Sequence, residues 1–205
     1  MKHLEKKFFE RPALEAAPDL LGKILVRKTD KGIISGRIVE TEAYVGEEDL
    51  ACHARCGKTE RNKVMYGPAG HIYIYLIYGM YYNFNIVTAK EHVPEAVLIR
   101  ALEPIGGIEL AKKNLKKFGR VRADKDFMKG PGKLCAALDL DKSFYDTDIT
   151  SSDKIWVEDV GEKPEIETAK RIGIDYADIY RDKPWRFTIK DNQFVSKFNR
   201  KPCRL

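Results

Sequence analysis

No apolar run in this sequence approaches the roughly 20 residues that a helix needs to cross a bilayer, so no helical membrane span is expected. The opening Met1-Lys2-His3-Leu4-Glu5-Lys6-Lys7 lacks the apolar stretch of a signal peptide. An intracellular setting is therefore expected: cytoplasm and nucleoid, or nucleus in a eukaryote. Cysteine is scarce and scattered, with Cys52, Cys56, Cys135 and Cys203 only, which argues for free thiols rather than a disulfide framework. His53 lies between Cys52 and Cys56, but no second ligand pair stands at zinc spacing, so no metal is expected. There is no nucleophile elbow, and no lysine sits alone in an apolar stretch as a Schiff-base nucleophile would. Gly132-Lys133 is not the end of a phosphate-binding loop, because Phe127 stands where the first glycine belongs and Leu134 where Ser or Thr belongs. No cofactor is expected. Repeats, low-complexity segments and clear linkers are all missing, which leaves residues 1–205 as a single domain.

What is present begins with a core. Of 205 residues, 43% are hydrophobic, enough for a substantial interior. A net charge of +6 permits a polyanionic partner without demanding one. The most informative stretch is 71–87, which reads as a β-hairpin. Ile72, Ile74 and Leu76 alternate with Tyr73, Tyr75 and Ile77, and Gly79 breaks the run at a turn. One face is aliphatic and the other aromatic, with Tyr78 and Met80 at the tip. Two readings compete. The rings belong to an ordinary core strand, or they form a stacking platform with a protruding wedge for unstacking bases.

Further strands are expected at 23–28, 33–44, 96–102, 154–158 and 186–189. A bend is expected at Gly36, and Pro104 to Gly107 should end the strand that starts at Ala96. Helices are expected at 13–17, stopped by Pro18, at 50–53 behind the acidic loop 45–49, at 108–118, and after the glycine turn 129–133. Residues 164–174 should end in an apolar strand near Ile172. Strands and helices do not alternate regularly, so a doubly wound fold is unexpected. The fold class read here is α+β, one mixed, largely antiparallel curved sheet with flanking helices and a protruding hairpin.

Glu42 ends a strand, where a carboxylate can face a cleft, and Arg100 is a conspicuous charge inside an apolar strand. A carboxylate with a bound water is the minimal general base. The plain alternative is that Glu40, Glu42, Glu47, Glu48 and Asp49 form a solvated acidic edge. The glycine turn before Lys133 is either a phosphate cradle or a simple loop-to-helix junction. The basic segment 112–129 is either a solvated face or a phosphate track.

Taken together, Val39-Glu40-Thr41-Glu42-Ala43-Tyr44, residues 49–55, 73–85 and 98–104, and Gly130-Pro131-Gly132-Lys133-Leu134-Cys135 resemble the alkyladenine (3-methyladenine) DNA glycosylase family. The resemblance runs from Phe9 to about Phe187. It implies a monofunctional base-excision enzyme, acting as a monomer on double-stranded DNA that contains damaged purines. It implies that Glu42 activates water and Arg100 helps hold it, with the backbone near Ile174 completing the water site. It implies that Tyr44, His53 and Tyr75 wall the base pocket and that Asn85 floors it against the 2-amino group of normal guanine. Tyr78 would be the wedge, with Met80 and Lys133 also on the DNA. Two other classes stay open on the residues alone. One is a non-enzymatic nucleic-acid-binding module, and the other is a hydrolase of free nucleosides or sugars.

Overall fold

The computed structural model describes residues 2–116 and 126–196. Among these, the chain forms β1 (Lys2–His3), α1 (Lys6–Phe9), α2 (Ala13–Asp19), β2 (Ile24–Thr29), β3 (Gly32–Val45), β4 (Ile72–Ile77) and β5 (Tyr81–Thr88). It continues with β6 (Glu95–Gly106), α3 (Ile108–Lys116), α4 (Pro131–Ala137), β7 (Ile155–Asp159), β8 (Ile166–Ala169) and β9 (Arg186–Ile189). One sheet runs in the order β1-β7-β2-β3-β6-β5-β4, and β9 joins β3 while carrying β8. Every strand pairing among the described residues is antiparallel. This is the α+β architecture expected from the sequence.

The helices cover one face. Phe9, Ala13 and Ala16 from the N-terminal helices, with Leu20 just past α2, meet Ile34, Ile38, Ile72, Phe84, Val97 and Ile99 from the sheet. Leu115 of α3 and Leu134 of α4 complete the same core. The aliphatic face of the hairpin behaves as its alternation requires. Ile72 and Ile74 are buried, and Leu76, nearest the tip, is exposed.

What positions the site is a pair of β-bulges. Up to Ile38, the even residues of β3 face the helices. Ile38 pairs with Leu102, but Glu40 pairs with Ala101, so Val39 is an inserted residue. Thr41 then pairs with Ile99, which leaves Arg100 as the matching insertion in β6. The parity of both strands flips there. Thr41 and Ala43 now face the helices, with the Thr41 hydroxyl donating to Ala17 O at 2.9 Å. Glu40, Glu42 and Arg100 swing to the opposite face.

Several expectations are corrected. Residues 50–53 form turns, not a helix, because the buried Asp49 carboxylate accepts from the Val45 and Ala51 backbone N–H groups and closes the chain on itself. The strand expected near Ile172 lies earlier, at β8, and the chain turns at Gly173 with φ +77°. β6 continues through Pro104, which occupies a second register shift opposite Gly36. A Cβ at position 36 would stand 2.9 Å from the Leu102 side chain, so glycine is what admits that close pairing. Pro18 is the penultimate residue of α2 rather than its stop. Residues 117–125 of the basic segment, including the end of the expected 108–118 helix, and Cys203 lie outside the described residues.

Candidate active site

The flipped half of β3 presents Glu42, which is fully buried. Three donors meet its carboxylate. The Ile172 backbone N–H donates to Oε1 at 2.8 Å, the Tyr44 hydroxyl donates to Oε2 at 2.9 Å, and Arg100 Nη1 lies 3.2 Å from Oε2. A carboxylate offers about four lone-pair sites, so one acceptor position on Oε1 is left beside Ile172. Arg100 also donates from Nε to Glu40 Oε1 at 3.1 Å. Burial alone lowers the Arg100 pKa, but the Glu42 and Glu40 charges more than reverse that, and the net shift is upward.

Tyr44, Arg100 and Ile172 all line one cleft of about 570 Å³, within the size range of small-molecule sites. Its remaining walls are largely aromatic. His53 Nδ1 and the Tyr73 hydroxyl are 2.7 Å apart, and the His53 ring lies 4.5 Å from Tyr75, edge to face. Tyr73 and Tyr75 are 5.1 Å apart, and Asn83 Nδ2 donates to the Tyr75 hydroxyl at 3.1 Å. Asn85 is buried and lines the cleft, its amide N–H donating to Tyr73 O at 2.9 Å. Burial holds the Tyr44 hydroxyl well above its usual pKa, helped by Glu42, and pushes Tyr75 up to about 12. His53 is driven the other way, down to about 4, by burial first and then by Arg61 and Arg55. It is a neutral imidazole at pH 7.

The hairpin tip stands over the cleft mouth. Met80 N–H donates to Ile77 O at 3.1 Å, and both residues between have positive φ, 51° at Tyr78 and 68° at Gly79. That is the backbone of a type I′ turn. A tyrosine in this region is strained, yet the Tyr78 side chain is 91% exposed and gains no burial in return. Met80 is exposed beside it. α4 docks against the hairpin through Gly132, where a Cβ would meet Tyr81 at 2.9 Å. Pro131 reaches the cleft, whereas Lys133 does not line it and approaches Asp126 O at 3.5 Å.

The sequence-expected residues Tyr44, His53, Tyr75, Tyr78, Asn85 and Arg100 thus share one cleft, with Glu42 directly behind its wall. Ile174 lines the cleft too, while the backbone contact to Glu42 comes from Ile172. Sequence reasoning missed two groups. Arg61 lines the cleft with its guanidinium 5.2 Å from the Tyr75 ring centre. Arg171 forms a fully buried pair with Asp49, at 2.5 and 2.8 Å, and lies 4.8 Å from the Tyr44 ring. It also donates to Ala43 O at 2.9 Å, so it ties the loop carrying Ile172 to the strand carrying Glu42.

A family model described as "Methylpurine-DNA glycosylase (MPG)" matches residues 7–193. A curated relative from Methanocella arvoryzae, named "Putative 3-methyladenine DNA glycosylase", is 48% identical over 197 residues, covering 96% of this chain and 97% of the relative. Relatives of the same name from Desulfitobacterium hafniense and Clostridium novyi are each 47% identical, covering 96% of this chain and 99% and 100% of their own lengths. The protein is therefore a DNA glycosylase, a hydrolase of N-glycosyl bonds, and its chain belongs to the methylpurine-DNA glycosylase family.

Proposed function

We propose that the cleft receives a damaged purine flipped out of duplex DNA and that Glu42 directs a water molecule at the exposed C1′. The water oxygen bonds to C1′ as the N-glycosidic bond breaks. The bonding pair leaves with the purine, Glu42 accepts the water proton, and an abasic site remains. The observation that carries this reading is the setting of Glu42. It is a buried acid whose three donors all belong to residues that line the cleft, with one acceptor site left over. Arg100 holds the acid in place while its other donor is fixed by Glu40.

The remaining roles follow from shape. Extrusion of a base costs a few kcal/mol. Insertion of the Tyr78 ring, with Met80 beside it, offsets part of that by filling the gap in the stack. Stacking on Tyr44, His53 and Tyr75 returns about 1–3 kcal/mol for the stacked base. Asn85, tethered to the Tyr73 carbonyl, forms a floor that collides with the 2-amino group of normal guanine, a penalty that 7-methylguanine shares but offsets by being the better leaving group. Lys133 contributes charge toward the DNA backbone. The substrates on this reading are alkylated or deaminated purines, the class of 3-methyladenine, 7-methylguanine, hypoxanthine and ethenoadenine, acted on by a single chain. The test is incubation with duplexes that each carry one defined lesion, followed by alkaline cleavage. Strand breaks at the lesion, absent with undamaged duplex, are the expected result. Binding without breaks would sink the catalytic reading.

A further inference from the structure

Arg61 has no role in the scheme above, yet it lines the same cleft. Its backbone is anchored, since Arg61 O accepts from the Tyr145 hydroxyl at 3.3 Å. Its guanidinium sits over the Tyr75 ring, 5.2 Å from the centre. Among the described residues no carboxylate pairs with it. The other cation of the cleft differs, because the Arg100 charge is met by both Glu40 and Glu42. The Arg61 charge is felt instead by the rings. After burial, it is the next largest influence holding His53 neutral, and it opposes the upward shifts of Tyr73 and Tyr75.

This bears on what the rings can stack. A π-face attracts a cation, and an alkylpurine carrying a fixed positive charge would normally gain from a cleft of tyrosines. Here the Tyr75 ring already holds a cation, and a charged base beside it would lie several ångströms from a like charge that no carboxylate among the described residues neutralises. A neutral lesion meets no such repulsion. Taking the cleft as the base pocket, as proposed above, we infer that Arg61 is a specificity-determining residue that disfavours positively charged alkylpurines and tilts excision toward neutral lesions such as hypoxanthine.

The experiment compares base release under single-turnover conditions from a duplex with one 7-methylguanine, which is cationic, and one with hypoxanthine, which is neutral. Wild type, Arg61→Gln and Arg61→Lys are measured, with thermal melts to check folding. In Arg61→Gln the ratio of 7-methylguanine to hypoxanthine rate constants rises about tenfold, the size expected of one charge in a partly solvated cleft. In Arg61→Lys, which keeps the charge, the ratio stays within about twofold. An equal loss on both duplexes would make Arg61 a general DNA contact and overturn the inference, as would an unchanged or falling ratio. Dissociation constants for the same duplexes are measured on Glu42→Gln and Glu42→Gln/Arg61→Gln, and their ratio moves in the same direction. If wild type cleaves neither duplex, the catalytic assignment fails alone, and the binding ratio still decides for or against Arg61.

Discussion

Glu40 and Glu42 lie two residues apart on one strand, on one face, both fully buried and both held by Arg100. Their other partners separate them. Glu40 accepts from Arg186 Nη1 at 3.0 Å and from the Ser196 N–H and hydroxyl, both at 2.8 Å, none of which reaches the cleft. Glu42 accepts only from groups that line it. Burial and charge therefore do not distinguish an acid that holds the fold from the one proposed above to activate water. The direction in which its donors face does. Glu40 closes a knot between β6, β9 and the chain beyond it, and the donors to Glu42 all belong to residues that line the cleft.

The largest effect should come from crossing the two acids. Glu42→Gln is expected to lower base release about a thousandfold, within the range of a lost general base, while DNA affinity stays within about twofold. Glu40→Gln is expected to do the reverse. It weakens a buried network that includes two arginines, at a cost of about 2–3 kcal/mol, and lowers Tm by roughly 5–10 °C. Residual activity of the folded protein should remain within about tenfold of wild type. Paired melts and single-turnover assays read both outcomes. If Glu42→Gln melts early and still cleaves, the two acids have been assigned the wrong way round.

The hairpin tip extends the same contrast to an exposed group. Tyr78 spends backbone strain on a side chain that packs against nothing, so its replacement should harm function and spare the fold. Tyr78→Gly is expected to reduce excision about tenfold, the equivalent of one lost stacking contact. Thermal stability should hold or rise by up to about 1 kcal/mol, because glycine tolerates the positive φ. Tyr78→Ala keeps the strain and should lose the activity without the gain in Tm. A fall in stability on either substitution would show that the ring is packed in solution.

Much of this was legible in the sequence because it is local. The alternation in 71–87 places Tyr73 and Tyr75 opposite Ile72 and Ile74, and Gly79 marks the tip, all within one hairpin. Glu42 and Arg100 are conspicuous by type alone. The bulges are not legible. Continuing the period of Ile34, Gly36 and Ile38 would put Glu40 and Glu42 against the helices, and only the pairing with β6 reveals the inserted Val39. The Asp49–Arg171 pair spans 122 positions and has no signature at either end. Asp49 instead gave a misleading one, because an acid before Leu50 resembles a helix cap, while its carboxylate is committed to Arg171 and a tight turn. Arg61 sits in a polar, basic stretch, and nothing in its neighbours announces a ring 14 positions away.

The smallest effect expected sharpens the contrast with a third ionisable group. Glu40 and Glu42 are compensated by cations, whereas His53 has cations near it, Arg61 and Arg55, and among the described residues no anion that offsets them. Its pKa falls from 6.5 to about 4 in the folded protein, so the unfolded chain binds the extra proton between those values. The stabilisation from His53 is then full above pH 6.5 and is lost as pH falls toward 4. Its size is on the order of 1–3 kcal/mol, allowing for the partial exposure of the ring. His53→Gln, which keeps a hydrogen-bonding partner for Tyr73, should flatten the acid limb of stability against pH by that amount while leaving pH 7–8 nearly unchanged. Denaturant titrations of both proteins across this window isolate the effect, because the carboxylates that also titrate there are common to both. Parallel curves would mean that the imidazole protonates as freely folded as unfolded, and that the cleft is wetter around His53 than its tyrosine neighbours imply.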